Sequence, residues 1–188
     1  MDSARMLTAP RRYHLTVEEY ERMIDADVFP PDARIELLEG VLYEIPPMGL
    51  PHQRALQLLI QIFAAMAAQR RLLVQMPIVL PDDSEPEPDL AVILPETPLG
   101  KPTGDQVVLA IEVAQRSRRF DFELKAPLYQ RAGLLETWVL DLRDQRLVVF
   151  PREGGTIVYR RGQGACLTPR GAPEVSLDLD ALFAGAAA

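Results

Sequence analysis

Three charged residues stand where packing alone would not put them. Glu112 lies inside VVLAIEVA (107–114), a tract otherwise wholly apolar. Alternation along a strand puts its side chain on the face of Val108 and Ala110, with Val107, Leu109, Ile111 and Val113 on the other. A carboxylate there loses its hydration and must meet a cation, an arginine or a proton. Asp89 opens a second apolar tract, DLAVIL (89–94), directly after Pro88. Lys125 lies four residues after Asp121 and four before Tyr129, so the three share one face of a helix. Each has a plain alternative: an ion pair for Glu112, strand-end punctuation for Asp89, a solvated surface position for Lys125.

As a pair, Asp89 and Glu112 say more than either alone. Carboxylates from neighbouring strands, brought into one pocket, repel unless a proton or a metal lies between them. The chain has one cysteine, Cys166, and two histidines, His14 and His52. A multi-thiolate zinc site is therefore excluded, and a hard cation such as Mg²⁺ is the natural candidate. Glu36 alternates with Ile35 and Leu37 and can face inward, whereas Glu39 falls at a turn. His52 lies one helical turn before Leu56, where a lone histidine is more often a packing residue than a ligand. Residues 114–131 hold five basic side chains (Arg116, Arg118, Arg119, Lys125, Arg131) against two acids. This local basic patch either meets phosphates or pairs with the acidic run DDSEPEPD (82–89).

The elements that must position these residues are legible in outline. Thr16-Val17-Glu18-Glu19 is a capping box and opens a short helix through about Asp25. RIELLEGVLYEI (34–45) alternates around Glu39-Gly40 and predicts a hairpin. Residues 51–70 carry Leu56, Leu59, Ile60 and Phe63 at helical spacing, with Pro51 at the start. A strand over 73–80 is interrupted at Pro77. The connection PETPLGKPTGD is too short and too rich in Pro and Gly for a crossover helix, so strands 89–94 and 107–114 should be antiparallel neighbours. A helix over 121–132 and a strand over 136–142 complete a β-α-β unit, with that strand parallel to 107–114. Pro127 sets the regular helix to begin near Ala126. A hairpin over 145–150 and 156–161 follows around Gly154-Gly155, then a short helix or strand.

At 188 residues, 48% hydrophobic and 25% charged, the chain has ordinary globular composition. It reads as a disordered tail (1–12), one domain (13–183) and a frayed end (184–188). A net charge of −7 argues against a general nucleic-acid coat but not against an enzyme with a local basic surface. No apolar run is long enough to span a membrane. No secretory signal is evident, and the cysteine usage fits a reducing, cytoplasmic setting.

The ordered set ELLEG (36–40), His52, EPDLAVI (87–93), LAIEV (109–113), DFELK (121–125), Tyr129 and AGLLETWVLDL (132–142) resembles the putative restriction-endonuclease family of the PD-(D/E)XK nuclease superfamily. The resemblance spans about residues 15–150. It implies an α/β fold, an α+β mixed sheet with a restriction-endonuclease-like core of antiparallel strands, a crossover helix and a C-terminal hairpin. It implies Asp89 and Glu112 as the motif acids, Glu36 as an additional acid and Lys125 as the motif lysine, moved from the strand to the following helix. A strict E-x-K motif would place lysine at 114, which is Ala114, and the segment after the strand reads Gln115-Arg116-Ser117-Arg118. The activity implied is a metal-dependent endonuclease hydrolysing DNA phosphodiesters by activated water. Asp89, Glu112, Glu36 and the Val113 carbonyl would hold Mg²⁺ or Mn²⁺, and Arg116, Arg118 and Arg119 would hold the DNA backbone. His52, Asp121 and Tyr129 would be auxiliary. A homodimer is expected, since two sites related by a twofold axis cut both strands of a duplex. The competing readings are an inactive nuclease-fold protein acting as a dimeric interaction or nucleic-acid-binding module, and a metal enzyme acting on another substrate. The carboxylates of Asp89, Glu112 and Glu36 should converge on one solvent-reachable pocket.

Overall fold

The computed structural model describes residues 11–64 and 71–187. Most of the expected disordered tail and the last turns of the 51–70 helix lie outside the described residues. A six-stranded mixed sheet forms the centre, in the order β3 (Arg71–Val74), β4 (Leu90–Ile93), β5 (Val107–Ala114), β6 (Glu136–Asp141), β7 (Arg146–Pro151) and β8 (Ile157–Arg160). Only β5 and β6 run parallel; every other pair in this sheet is antiparallel.

One face of the sheet carries Leu90, Val92, Leu109, Ile111 and Val113, packed against α2 (Leu50–Ala64). The C-terminal helix α5 (Leu179–Ala187) closes the same core with Leu182, Phe183 and Ala186. The chain therefore stays helical beyond residue 184, where the sequence reads as a frayed end, because Ala186 is buried. The other face carries Ala91, Ile93 and Ala110, under Leu128 and Tyr129 of the crossover helix and Leu38 of the hairpin β1 (Ile35–Leu38) and β2 (Val41–Glu44). The small residues Ala91 and Ala110 leave room on this face for longer polar side chains.

Two elements depart from simple periodicity. A bulge opposite Val92/Ile93 shifts the register of β5, so that Val108 joins the α2 side with Leu109. Strict alternation had placed Val108 beside Glu112; the extra residue at the bulge breaks that phase. The strand expected over 73–80 ends at Val74, where Gln75 turns the chain with a φ of 48°. Ile78–Leu80 makes only isolated bridges and backbone bonds to the loops at Pro86, Ser84 and Pro102.

The capping box forms as the sequence requires. Thr16 Oγ1 accepts from the Glu19 N–H and Glu19 Oε2 accepts from the Thr16 N–H, at the start of α1 (Val17–Asp25). Tyr20 of α1 donates its hydroxyl proton to the Ile35 carbonyl at 2.6 Å, which ties α1 to the hairpin. The hairpin turns through Glu39 and Gly40, both with positive φ, the backbone that a two-residue turn needs. A side chain at Gly40 would collide with the His14 ring. The crossover is a continuous helical path: α3 (Arg118–Phe120), a π turn (Asp121–Lys125) and α4 (Ala126–Arg131). Pro127 lacks an N–H and crowds the preceding turn. The wider turn relieves this, with the Ala126 N–H donating to the Asp121 carbonyl five residues back.

Asp141 ends β6 fully buried, and accepts from Arg118 Nε at 2.9 Å and Arg146 Nε at 3.0 Å. It thereby fastens α3 to the β6–β7 turn. Asp141→Asn should lower stability by about 1–3 kcal/mol in urea unfolding. That is less than for a wholly buried pair, because both arginines keep some access to water. A change below a few tenths of a kcal/mol would show that the fastening is energetically idle.

Candidate active site

The antiparallel register of β4 and β5 pairs Leu90 with Ile111, which sets Asp89 opposite Glu112 on the crossover-helix face. Asp89 is held from two sides. Its Oδ2 accepts the Val113 N–H at 2.8 Å, and its Oδ1 lies 3.0 Å from His52 Nε2, with Gln75 Nε2 at 3.4 Å. His52 sits in the first turn of α2, so this helix reaches past the end of the sheet to brace the acid. The plane of the Asp89 carboxylate is thus fixed before anything binds.

Lys125 is the hub of the site. Its Nζ stands 2.9 Å from Glu36 Oε2, 3.2 Å from Glu112 Oε1, and donates to the Glu87 carbonyl at 3.1 Å. Glu36 comes from β1, Glu112 from β5 and Glu87 from the loop entering β4, so one ammonium joins three parts of the chain. Tyr129, one turn further along α4, donates to Glu112 Oε1 at 2.6 Å. Asp121, at the start of the π turn, accepts the Ser117 hydroxyl at 2.6 Å. Asp121, Lys125 and Tyr129 therefore do face one centre despite the π turn between them.

Burial sets the electrostatics. Desolvation pushes the Glu112 carboxyl well above the usual carboxylate range; Lys125 opposes this, while Asp89, Asp121 and Glu36 add to it. Asp121 is pushed up to about 6, mainly by burial, against the opposing pull of Lys125 and the Ser117 hydroxyl. Asp89 is the exception. Burial pushes it up too, but the His52 bond and charge, the Val113 N–H and Lys125 together hold it below its ordinary value. Burial alone would lower Lys125; the surrounding Glu112, Glu36 and Asp121 outweigh that and raise it, so it stays an ammonium. Tyr129 is raised by burial and by Glu112 and keeps its proton.

These groups line one cleft. Glu36, His52, Asp89, Glu112, Asp121 and Lys125 form its wall, with Arg116 at its edge. Its free volume of about 30 Å³ admits a water or a bare ion, not an organic substrate. Tyr129 and Val113 back this wall through Glu112 and Asp89, while the other two expected arginines lie outside it. Arg118 is bound to Asp141 and Asp144, and Arg119 pairs with Glu123 one turn along. Glu87, Gln75 and Asp141 escaped the sequence reading. Glu87 lines the cleft and gives its carbonyl to Lys125; as the residue two before Asp89 in an extended segment, it shares a face with that acid, which was a usable signal. Asp141 had none, since an acid ending a strand is unremarkable until its arginine partners are known.

The donor chemistry fits a hard divalent cation: every candidate ligand is a carboxylate or carbonyl oxygen. Glu36 Oε2 is buried and accepts no hydrogen bond, although the ammonium is near. The spacing is set by that ammonium. Among the described residues, no three acidic, histidine or cysteine side chains stand at metal-binding distance from one another.

A mixed sheet whose antiparallel strands deliver two acids to one pocket, with a lysine on the crossover helix, defines a nuclease-like α/β fold. The chain belongs to the Uma2 family, described as putative restriction endonuclease, whose model matches residues 17–180. Its structure is similar to the crystal structure of a putative nuclease belonging to DUF820 from Anabaena variabilis. The TM-score is 0.74 at 18% identity, over 92% of this chain and 99% of that one. No curated protein matches the sequence. Among the described residues, no helix is long and apolar enough to cross a membrane.

Lys125→Met should destabilise the protein by about 3–5 kcal/mol in urea unfolding with EDTA, since it strands two buried acids at once. A loss under about 1 kcal/mol would mean that the cluster is solvated. Asp121 gives a pH test. Its folded value of about 6 exceeds the ordinary 3.8, so its stabilising contribution is full below about pH 3.8 and is lost as pH rises through 6. Asp121→Asn should therefore be more stable than the wild type at about pH 7.5, by up to about 3 kcal/mol, with the difference vanishing near about pH 4. Parallel melting curves for the two proteins at every pH would refute that reading.

Proposed function

We propose that this protein is a Mg²⁺- or Mn²⁺-dependent endonuclease that hydrolyses DNA phosphodiester bonds by water attack. The observation that carries this reading is the gathering of Glu36, Asp89 and Glu112 with Lys125 in one small cleft, Glu36 and Glu112 on the ammonium itself. Four separate stretches of chain meet there at a considerable desolvation penalty. Membership of a family described as putative restriction endonuclease supports the reaction class.

Asp89, Glu112, Glu36 and the Val113 carbonyl would hold the cation. When bound, it supplies positive charge that lowers the pKa of a coordinated water and offsets charge on the phosphorane. Asp89 enters ionised and oriented, because His52 and the Val113 N–H brace it. Lys125 acts as a fixed cation, not as a base, because its acid neighbours keep it protonated. Its N–H groups can orient the attacking water or stabilise the non-bridging oxygens. Tyr129 holds Glu112 in position. Arg116, exposed at the cleft edge, would meet a phosphate at its mouth. The cleft is too small to swallow a nucleotide, so the phosphodiester is presented at the opening.

Cleavage of both strands is assigned to a homodimer. The hairpin of β7 and β8 is its candidate interface, with Ile157 and Val158 exposed on the edge strand. A single observation favours the other reading, an inactive nuclease-fold binding module: the acids are gathered around an ammonium, not at metal-binding spacing.

Plasmid cleavage in Mg²⁺ or Mn²⁺ against EDTA separates the two, with Glu112→Gln as the decisive variant. The substituted amide still accepts the Tyr129 proton through its carbonyl oxygen, and Lys125 keeps Glu36 and the Glu87 carbonyl, so no cation is stranded. The variant should melt in EDTA at or above the wild-type temperature while cleavage falls at least about 100-fold, the order of effect of removing one such charge. Cleavage that persists in Glu112→Gln would remove this residue from the mechanism, and its absence in the wild type with either metal would favour the binding module.

A further inference from the structure

Beside the acidic cleft runs a second, wider groove of about 630 Å³, lined by Arg116, Arg118, Arg119, Arg143 and Arg146. The arginines come from two segments: the β5–α3 connection with α3, and the β6–β7 turn. The groove shares Gln115 and Arg116 with the cleft, so the two are continuous.

Its arginines divide by what holds them. Arg118 and Arg146 form a rigid floor. Both donate through Nε to the buried Asp141, both approach Asp144, and their guanidinium carbons lie 6.0 and 5.4 Å from the Phe122 ring centroid. Arg119 is tied to Glu123 at the surface. Arg116 and Arg143 are exposed, and among the described residues neither has a carboxylate within ion-pair distance. The charge of the groove is therefore positive in a chain whose net charge is −7.

We propose that this groove binds the sugar-phosphate backbone of the substrate strand on one side of the scissile phosphate. Arg116 and Arg143 contact successive phosphates, and Asp141 positions the floor. The inference rests on the reading of the adjoining cleft as a nuclease site. A repeating polyanion fits the groove better than a single small anion, because the free guanidiniums sit on two different segments along an open channel. The groove offers charge without base recognition: Phe122, its aromatic ring, is already covered by two guanidiniums and cannot stack a base. Binding through it is indifferent to sequence.

The test is fluorescence anisotropy with two labelled DNA duplexes of unrelated sequence, in EDTA over a range of NaCl concentrations. The Arg116→Gln/Arg143→Gln double variant should bind both duplexes at least about tenfold more weakly. Its slope of log K against log[salt] should be shallower by roughly two, since each lost phosphate contact removes about 0.9. Its melting temperature should be unchanged, because neither arginine is paired. Arg22→Gln/Arg170→Gln, two exposed arginines outside the groove, the second at the opposite end of β6 from Asp141, should bind as the wild type does. No measurable binding by the wild type, or equal affinity and slope in the groove variant, overturns the proposal. Cleavage in Mn²⁺ reports separately on the cleft. Cutting retained with unaltered binding in the groove variant condemns the groove alone. Binding lost in that variant of a wild type that never cuts upholds the groove and condemns the nuclease reading.

Discussion

A single buried ammonium organises the site. Among the described residues, Lys125 is the one lysine or arginine buried in the cleft wall, and it faces Glu36, Glu112 and, further off, Asp121 and Asp89. No arrangement of one positive charge can neutralise four acids in a dry setting. The excess is taken up unequally. Glu112 and Asp121 resist ionisation, while Asp89 ionises readily because neutral donors and His52 replace the water it has lost. Nearly identical carboxyl groups thus acquire different chemical characters from their neighbours alone. The imbalance is also why the cluster has a use for further positive charge, which water cannot supply and a divalent cation can.

The rest of the fold serves to keep these groups from relaxing apart. The parallel pairing of β5 and β6 forces the chain across the sheet through the crossover helix, which brings Lys125 and Tyr129 over Glu112. The π turn inserts one more residue at the point where Pro127 would break an α-helix, and Asp121 and Lys125 bound it. Among the described residues, the hairpin bearing Glu36 has no strand partner in the main sheet. It is held by Tyr20 from α1, by the backbone bond from the Glu85 N–H to the Leu37 carbonyl, and by Lys125 itself. Each bond is modest alone, about 1 kcal/mol for a typical hydrogen bond, but together they fix a carboxylate against its own repulsion.

Much of this was readable from residue order because the strongest signals are local. A Pro- and Gly-rich connection too short for a helix dictates antiparallel strands, and a lone Glu in an aliphatic strand marks a desolvated acid whatever surrounds it. What could not be read depends on register between distant segments. The bulge that moves Val108 to the other core shows only once β4 lies beside β5. The same holds for Arg118. The sequence shows an arginine in a basic patch, and only the docking of α3 against the end of β6 gives it Asp141 as a partner, 23 residues away. Helix ends follow the same logic: α5 continues to Ala187 because the core shared with α2 buries Leu182, Phe183 and Ala186, and a row of small residues read alone carries no such information.

The arrangement also bears on how so acidic a chain would meet the polyanion proposed as its substrate. At physiological ionic strength exposed charges act over roughly 8 Å, so the net charge of the molecule is felt weakly at any one point of its surface. What a phosphate meets is the local balance. In the arginine groove the acids present are Asp141, Asp144 and Glu123, and each is already bound to a guanidinium. In the cleft next to it the charge is reversed, and a phosphate would be repelled unless cations stood between. Attraction in one compartment and conditional repulsion in the other make binding and chemistry separable properties of adjoining surfaces. Under the proposed function, a strand would be held by arginines without metal, and only a metal-filled cleft would then make one of its phosphates reactive.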